Sequence, residues 1–107
     1  MKPFIDILGA SGAVYRFDAI ARAADAPAVA GNFIFARINR GEVEVAGCGS
    51  TLNLKDTVSL WGSEIEANET QGIFVRLNTL RGARVREHDD IVDKHRPDLV
   101  VIDPDER

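Results

Sequence analysis

The chain has one cysteine, one tryptophan and one tyrosine in 107 residues, and no apolar run that approaches the length of a membrane span. A single thiol, Cys48, has no partner for an internal disulfide, so the sequence points to a reducing, cytoplasmic setting. Crossing a bilayer takes roughly 20 consecutive apolar residues, and the N-terminus lacks the basic start and long apolar stretch of a signal peptide. No membrane partner is expected. A basic excess is missing as well. Lys and Arg number 13 against 17 Asp and Glu, a net charge of −4. Proteins that hold nucleic acid without strong sequence readout carry a basic face that displaces counterions from phosphate, so the charge does not favour nucleic acid as a partner. Room remains for a local basic patch, from Arg37 with Arg40 and from a looser group of Arg76, Arg81, Arg84 and Arg86. Repeats, low-complexity tracts and linkers are also absent. The length fits one domain over residues 1–107 with one modest core.

What is present is a string of short elements. Phe4 to Leu8 is apolar and ends in the turn signal Gly9-Ala10-Ser11-Gly12, after which Val14 to Ile20 reads as a strand. Residues 21–30 read as a loop. Phe33 and Phe35 share one face of the next strand and Ile34 and Ala36 the other, which predicts a central strand buried on both sides. Asn39-Arg40-Gly41 turns the chain into a return strand whose inward face is Val43, Val45 and Gly47, with Glu42 and Glu44 outward. Gly47-Cys48-Gly49-Ser50 is expected to break that strand. Asn53 caps a helix whose apolar stripe is Leu54, Val58 and Trp61. Gly62 is expected to stop it, and Ser63 to Glu66 to start a second short helix that ends at Gly72. Ile73 to Leu77 is a strand. Asn78 or Thr79 then caps a last helix that Pro97 ends, and Leu99 to Ile102 is an extended tail. The pattern is α+β: a small, mainly antiparallel sheet flanked by helices.

Few residues stand out chemically. Val85, His88, Val92 and His95 recur at helical spacing, so both histidines are expected at the edge of the core, satisfied by backbone carbonyls. Cys48 reads as a small apolar filler, and Trp61 as core. The run from Phe4 to Tyr15 looks like a strand entering a phosphate-binding glycine turn. That fingerprint needs a third glycine where Tyr15 stands and a helix after it, and β-rich residues follow instead.

The expected hairpin Asn32 to Arg37 and Val43 to Gly47, the helix opening at Asn53-Leu54-Lys55, and the stretch from His88 to Pro97 together resemble the GIY-YIG nuclease superfamily, in the same order and at similar spacing over about residues 31–100. In active members two tyrosines, an arginine on the following helix, a metal-binding glutamate on a later helix and a subsequent asparagine cleave a phosphodiester. By position these roles fall on Phe33 (Phe35 if the register slips by two), Val45, Thr57 (Lys55 on a slip), His88 and Val100. Each replacement lacks the needed group: phenylalanine and valine have no hydroxyl, threonine no charge, and histidine is a poor ligand for magnesium. Tyr15, the only tyrosine, precedes both motifs. The resemblance implies a catalytically degenerate domain with no catalytic residue, cofactor or metal, acting as an interaction or binding module for a protein partner or a second copy of itself. A non-cleaving nucleic-acid binder, or an enzyme rebuilt around His88 with Cys48, Thr57 and Lys55, are the alternatives.

Overall fold

Alternating apolar residues on both sides of one strand require a packed layer on each side. That is how β3 (Gly31–Asn39) sits in the computed structural model, which describes residues 3–67, 72–103 and 106, without the side chains of residues 63–67. The other strands are β1 (Phe4–Leu8), β2 (Val14–Ile20), β4 (Glu42–Thr51), β5 (Gly72–Leu77) and β6 (Leu99–Ile102); the helices are α1 (Leu54–Ala67) and α2 (Arg81–His95). The strands form one sheet in the order β1-β2-β5-β3-β4-β6. All neighbours run antiparallel except β4 and β6, which are parallel. The chain is therefore α+β, with a mainly antiparallel sheet flanked by helices.

The two faces of β3 belong to two clusters. Phe33 and Phe35 pack with Leu54, Val58, Val75 and Val101, so this face is covered by α1. Ile34 and Ala36 pack with Ile5, Phe17, Val45, Cys48, Phe74 and Ile91, so the opposite face is covered by α2. The hairpin between β3 and β4 closes through Arg40 and Gly41, with φ of 54° and 81°. This is the two-residue turn with positive φ at both positions, whose twist matches that of paired strands.

Several expectations need correction. The glycines of Gly47-Cys48-Gly49-Ser50 do not end β4, which runs on to Thr51. They make room for aromatic rings: a Cβ on Gly49 would lie 2.1 Å from Phe33 Cζ, and one on Gly47 would lie 3.1 Å from Phe35 Cδ2. The even alternation expected for Val43, Val45 and Gly47 fails because the register slips between Phe35 and Ala36, leaving Ala46 as a bulge. Val45 thus joins the α2 face while Gly47 lies opposite Phe35.

Asn53 does cap α1, its Oδ1 accepting the Asp56 N–H at 3.1 Å, and the stripe Leu54, Val58 and Trp61 packs as expected. Gly62 does not stop the helix, which continues to Ala67. A glycine lowers helix propensity by only about 1 kcal/mol, and here it packs against Ala23 of the short 3-10 turn Ala23–Asp25. The expected second helix therefore belongs to α1 as far as Ala67, and its remainder lies outside the described residues. Helix α2 begins after Leu80 rather than at a side-chain cap. It ends as expected before Pro97, through Arg96 in the left-handed region with its N–H on Val92 O. The extended tail Leu99–Ile102 is a strand, β6, because it pairs with residues Gly47 to Ser50 of β4.

Candidate functional site

The five positions singled out by resemblance do not converge. Phe33 is fully buried on the α1 face, as is Phe35. Thr57, on α1, lies 2.6 Å from Thr51 Oγ1 through its own hydroxyl, and Lys55 is exposed. Val45 packs on the α2 face. His88 is buried within α2, at 2% exposure. Val100 sits on β6 opposite Cys48 and is 43% exposed. The sheet thus stands between Phe33 with Thr57 and Val45 with His88. The same division separates Thr57 and Lys55 from Cys48 and His88, so the rebuilt enzymatic site has no common pocket. Burial also pushes the Cys48 thiol up to about 12, which keeps it protonated at neutral pH and suits a packing role. His95 meets the expectation of a carbonyl partner, with Nε2 2.7 Å from Leu8 O.

Functional groups gather instead beside α2, in an open cleft of about 1040 Å3 between that helix and the β1–β2 turn. One wall is built around Asp90. The Ser11 N–H donates to Asp90 Oδ1 at 2.8 Å, the Ser11 hydroxyl to Oδ2 at 2.6 Å, and the Tyr15 hydroxyl to Oδ2 at 2.7 Å. The bonds from Ser11, then Tyr15, hold the Asp90 carboxyl below the usual carboxylate range. Burial, followed by the same Asp90, raises the Tyr15 phenol, so Tyr15 is a hydrogen-bond donor and a poor base. Only glycine fits at position 9, where a Cβ would lie 2.0 Å from Asp90 Oδ2. The glycine turn is therefore a hairpin whose donors already hold an internal carboxylate, and the resemblance to a phosphate cradle ends there.

The other wall is a polar network that reaches into the core. Arg76 Nε donates to Glu87 Oε1 at 2.8 Å, and Asn78 Nδ2 donates to Glu87 Oε2 at 3.1 Å and to Asn32 Oδ1 at 3.0 Å. Asn32 Nδ2 in turn donates to the Arg84 carbonyl at 3.0 Å. The Arg84 side chain is 1% exposed and the Glu106 side chain 0%, with Nη2 and Oε1 2.5 Å apart. Ser50 Oγ adds a bond to Glu106 Oε2 at 2.6 Å. Burial pushes the Glu106 carboxyl up, but the bonds from Arg84 and Ser50 and the arginine's charge outweigh it and hold the group below its usual range.

These pairings dissolve the basic patch that the sequence left open. Arg84 is buried, Arg76 is paired with Glu87, and Arg81 Nε donates to the Glu106 carbonyl at 2.7 Å. Arg86 lines the cleft with Arg76 and Arg81, among the carboxylates of Glu87, Asp89, Asp90 and Asp93. Arg37 forms an ion pair with Glu44 at 3.6 Å. Among the described residues no three His, Cys, Asp or Glu side chains come together as a metal site. The cleft offers donors and acceptors of both signs, which is chemistry for binding.

Sequence reasoning missed Asp90, Glu87, Tyr15 and Glu106 as partners. One signal was available. Arg84, Glu87, His88 and Ile91 fall at i, i+3, i+4 and i+7, and all four are buried. A stripe at core spacing that is three-quarters polar marks a buried network rather than a plain core. No family model, curated protein or solved structure matches this chain.

Proposed function

We propose that the chain is a non-catalytic GIY-YIG-like domain that acts as a binding module, with the cleft along α2 as its binding surface. Its frame is the order hairpin, helix, strand, helix over β3, β4, α1, β5 and α2, the order on which the resemblance rests. The observation that carries the non-catalytic part of the reading is the separation of Phe33 and Thr57 from Val45 and His88 by the sheet. Phosphodiester hydrolysis needs a base and charge-stabilising groups within reach of one phosphate. Phe33 and Val45 pack on opposite faces of the sheet, with Thr57 on the helix that covers the first and His88 on the helix that covers the second. The cleft, by contrast, places Ser11, Tyr15, Arg76, Arg86, Glu87 and Asp90 around one open space, and its mixed charges suit a protein surface better than a polyanion. Nucleic-acid binding without cleavage is the weaker reading, because Arg84, Arg76 and Arg81 are engaged internally. Incubation with magnesium or manganese and nucleic acid is expected to give no cleavage. Robust cutting that disappears in His88→Ala would overturn the proposal.

A further inference from the structure

The buried pair Arg84–Glu106 has an asymmetry that points to exchange. Among the described residues, the donors to the carboxylate come from the packed body: Arg84 from α2 and Ser50 from β4. Arg84 Nε lies 2.9 Å from both carboxylate oxygens, Nη2 lies 2.5 Å from Oε1, and Nη1 is held by the Asn78 carbonyl at 3.0 Å. The fork is thus fixed by residues that do not depend on the acid it holds. Glu106 comes from beyond β6, and its own N–H closes only a local bond to Asp103 O at 2.9 Å. Arg81 Nε, at the start of α2, grips the Glu106 carbonyl, and both residues border the cleft.

We propose that Arg84 and Ser50 form a carboxylate-binding slot, with Arg81 holding the occupant's backbone carbonyl at the border of the α2 cleft; the chain fills this slot in cis with Glu106, and an acidic residue of a protein partner takes it by displacing Glu106. This rests on reading the cleft as the binding surface. The donors suit a planar two-oxygen acceptor, the geometry in which a guanidinium fork is most selective. A guanidinium buried this deeply cannot stand without an anion, so Glu106 leaves only when another carboxylate arrives. Glu106 is then the internal occupant of the slot, and the partner's acidic residue is its replacement.

The test uses Glu106→Ala, melted in sodium acetate and in sodium chloride at matched ionic strength. In chloride the variant is expected to melt lower than the parent chain by more than about 10 °C. Acetate at about 0.1 M should return several degrees of that loss by mass action, and the parent chain should show no rise specific to acetate. An N-acetylated peptide of residues 103–107 should bind the variant more than about tenfold tighter than the parent, whose slot is filled. If the variant is unfolded in chloride, folding recovered in acetate and not in chloride is the supporting result. The neutral-slot variant Arg84→Met with Glu106→Ala must then show no acetate response. No acetate-specific rise in Glu106→Ala, equal peptide binding by variant and parent, or a response in the neutral-slot variant would each overturn the proposal. Nuclease activity would sink the binding-module reading while leaving the acetate response intact, so the two failures are distinguishable.

Discussion

The two faces of the sheet are built from different materials. Against α1 the buried cluster is apolar, Phe33, Phe35, Leu54, Val58, Val75 and Val101 among it, with Gly47 and Gly49 cut back to admit the rings and the hydroxyls of Thr51 and Thr57 paired at its edge. Against α2 the apolar cluster around Phe17 and Ile91 adjoins buried Asn32, Ser50, Arg84, Glu87 and Glu106. The first face gains its stability from area removed from water and from close packing. The second trades some of that gain for hydrogen bonds that fix orientation, which are weak contributors to net stability and strong penalties when broken. The lesson is that the face able to present chemistry is the polar one, whichever positions a family resemblance selects.

That contrast can be broken by experiment. The largest expected effect is on the polar face. Arg84→Met leaves the Glu106 charge buried without its partner and should cost about 3–5 kcal/mol in urea unfolding, while Arg84→Met with Glu106→Leu should recover most of it. A single variant as stable as the parent would mean that the pair is not buried as described. A smaller effect is expected on the apolar face. Gly49→Ala drives a Cβ into the Phe33 ring and should cost about 2–3 kcal/mol, and Phe33→Leu placed beside it should relieve part of the loss. Independent, additive losses would show that the ring does not lie over Gly49.

The smallest effect is a pH dependence centred on the α2 face. Glu106 and Asp90 both have folded pKa values lowered from the usual carboxylate range. Their contribution to stability is therefore present above that range and is lost as pH falls through the lowered folded values. Chemical unfolding followed from neutral pH downward should show a decline that Glu106→Gln flattens and that Gly49→Ala leaves unchanged. A rise in stability on acidification would contradict the assigned directions.

Much of the frame was legible because it follows from period and punctuation. The two-sided apolar alternation of Phe33 to Ala36 gives the central strand, Asn39-Arg40-Gly41 gives the turn, and Leu54, Val58 and Trp61 give the covered side of α1. The structure departs from the sequence pattern where a glycine looks like punctuation but its role is spatial. Gly49 clears Phe33, and Gly62 packs over Ala23 within a continuing helix. The extended run Leu99 to Ile102 was legible, but its pairing as β6 was not, because its partner lies far back in the chain, which no local pattern encodes. The cleft was illegible for the same reason. Ser11 and Tyr15 meet Asp90 across |i−j| of 79 and 75, and Ser50 meets Glu106 across 56. The four arginines looked like one patch because their partners lie on other elements.

The most direct test of the central claim, that the sheet separates the nuclease-related positions, is a double-mutant cycle between Phe33→Leu and His88→Gln measured by urea unfolding. Two residues on opposite faces of the sheet should give losses that add within about 0.5 kcal/mol. A coupling above about 1 kcal/mol would mean that Phe33 and His88 share one site, and the division of labour between the two faces would be wrong.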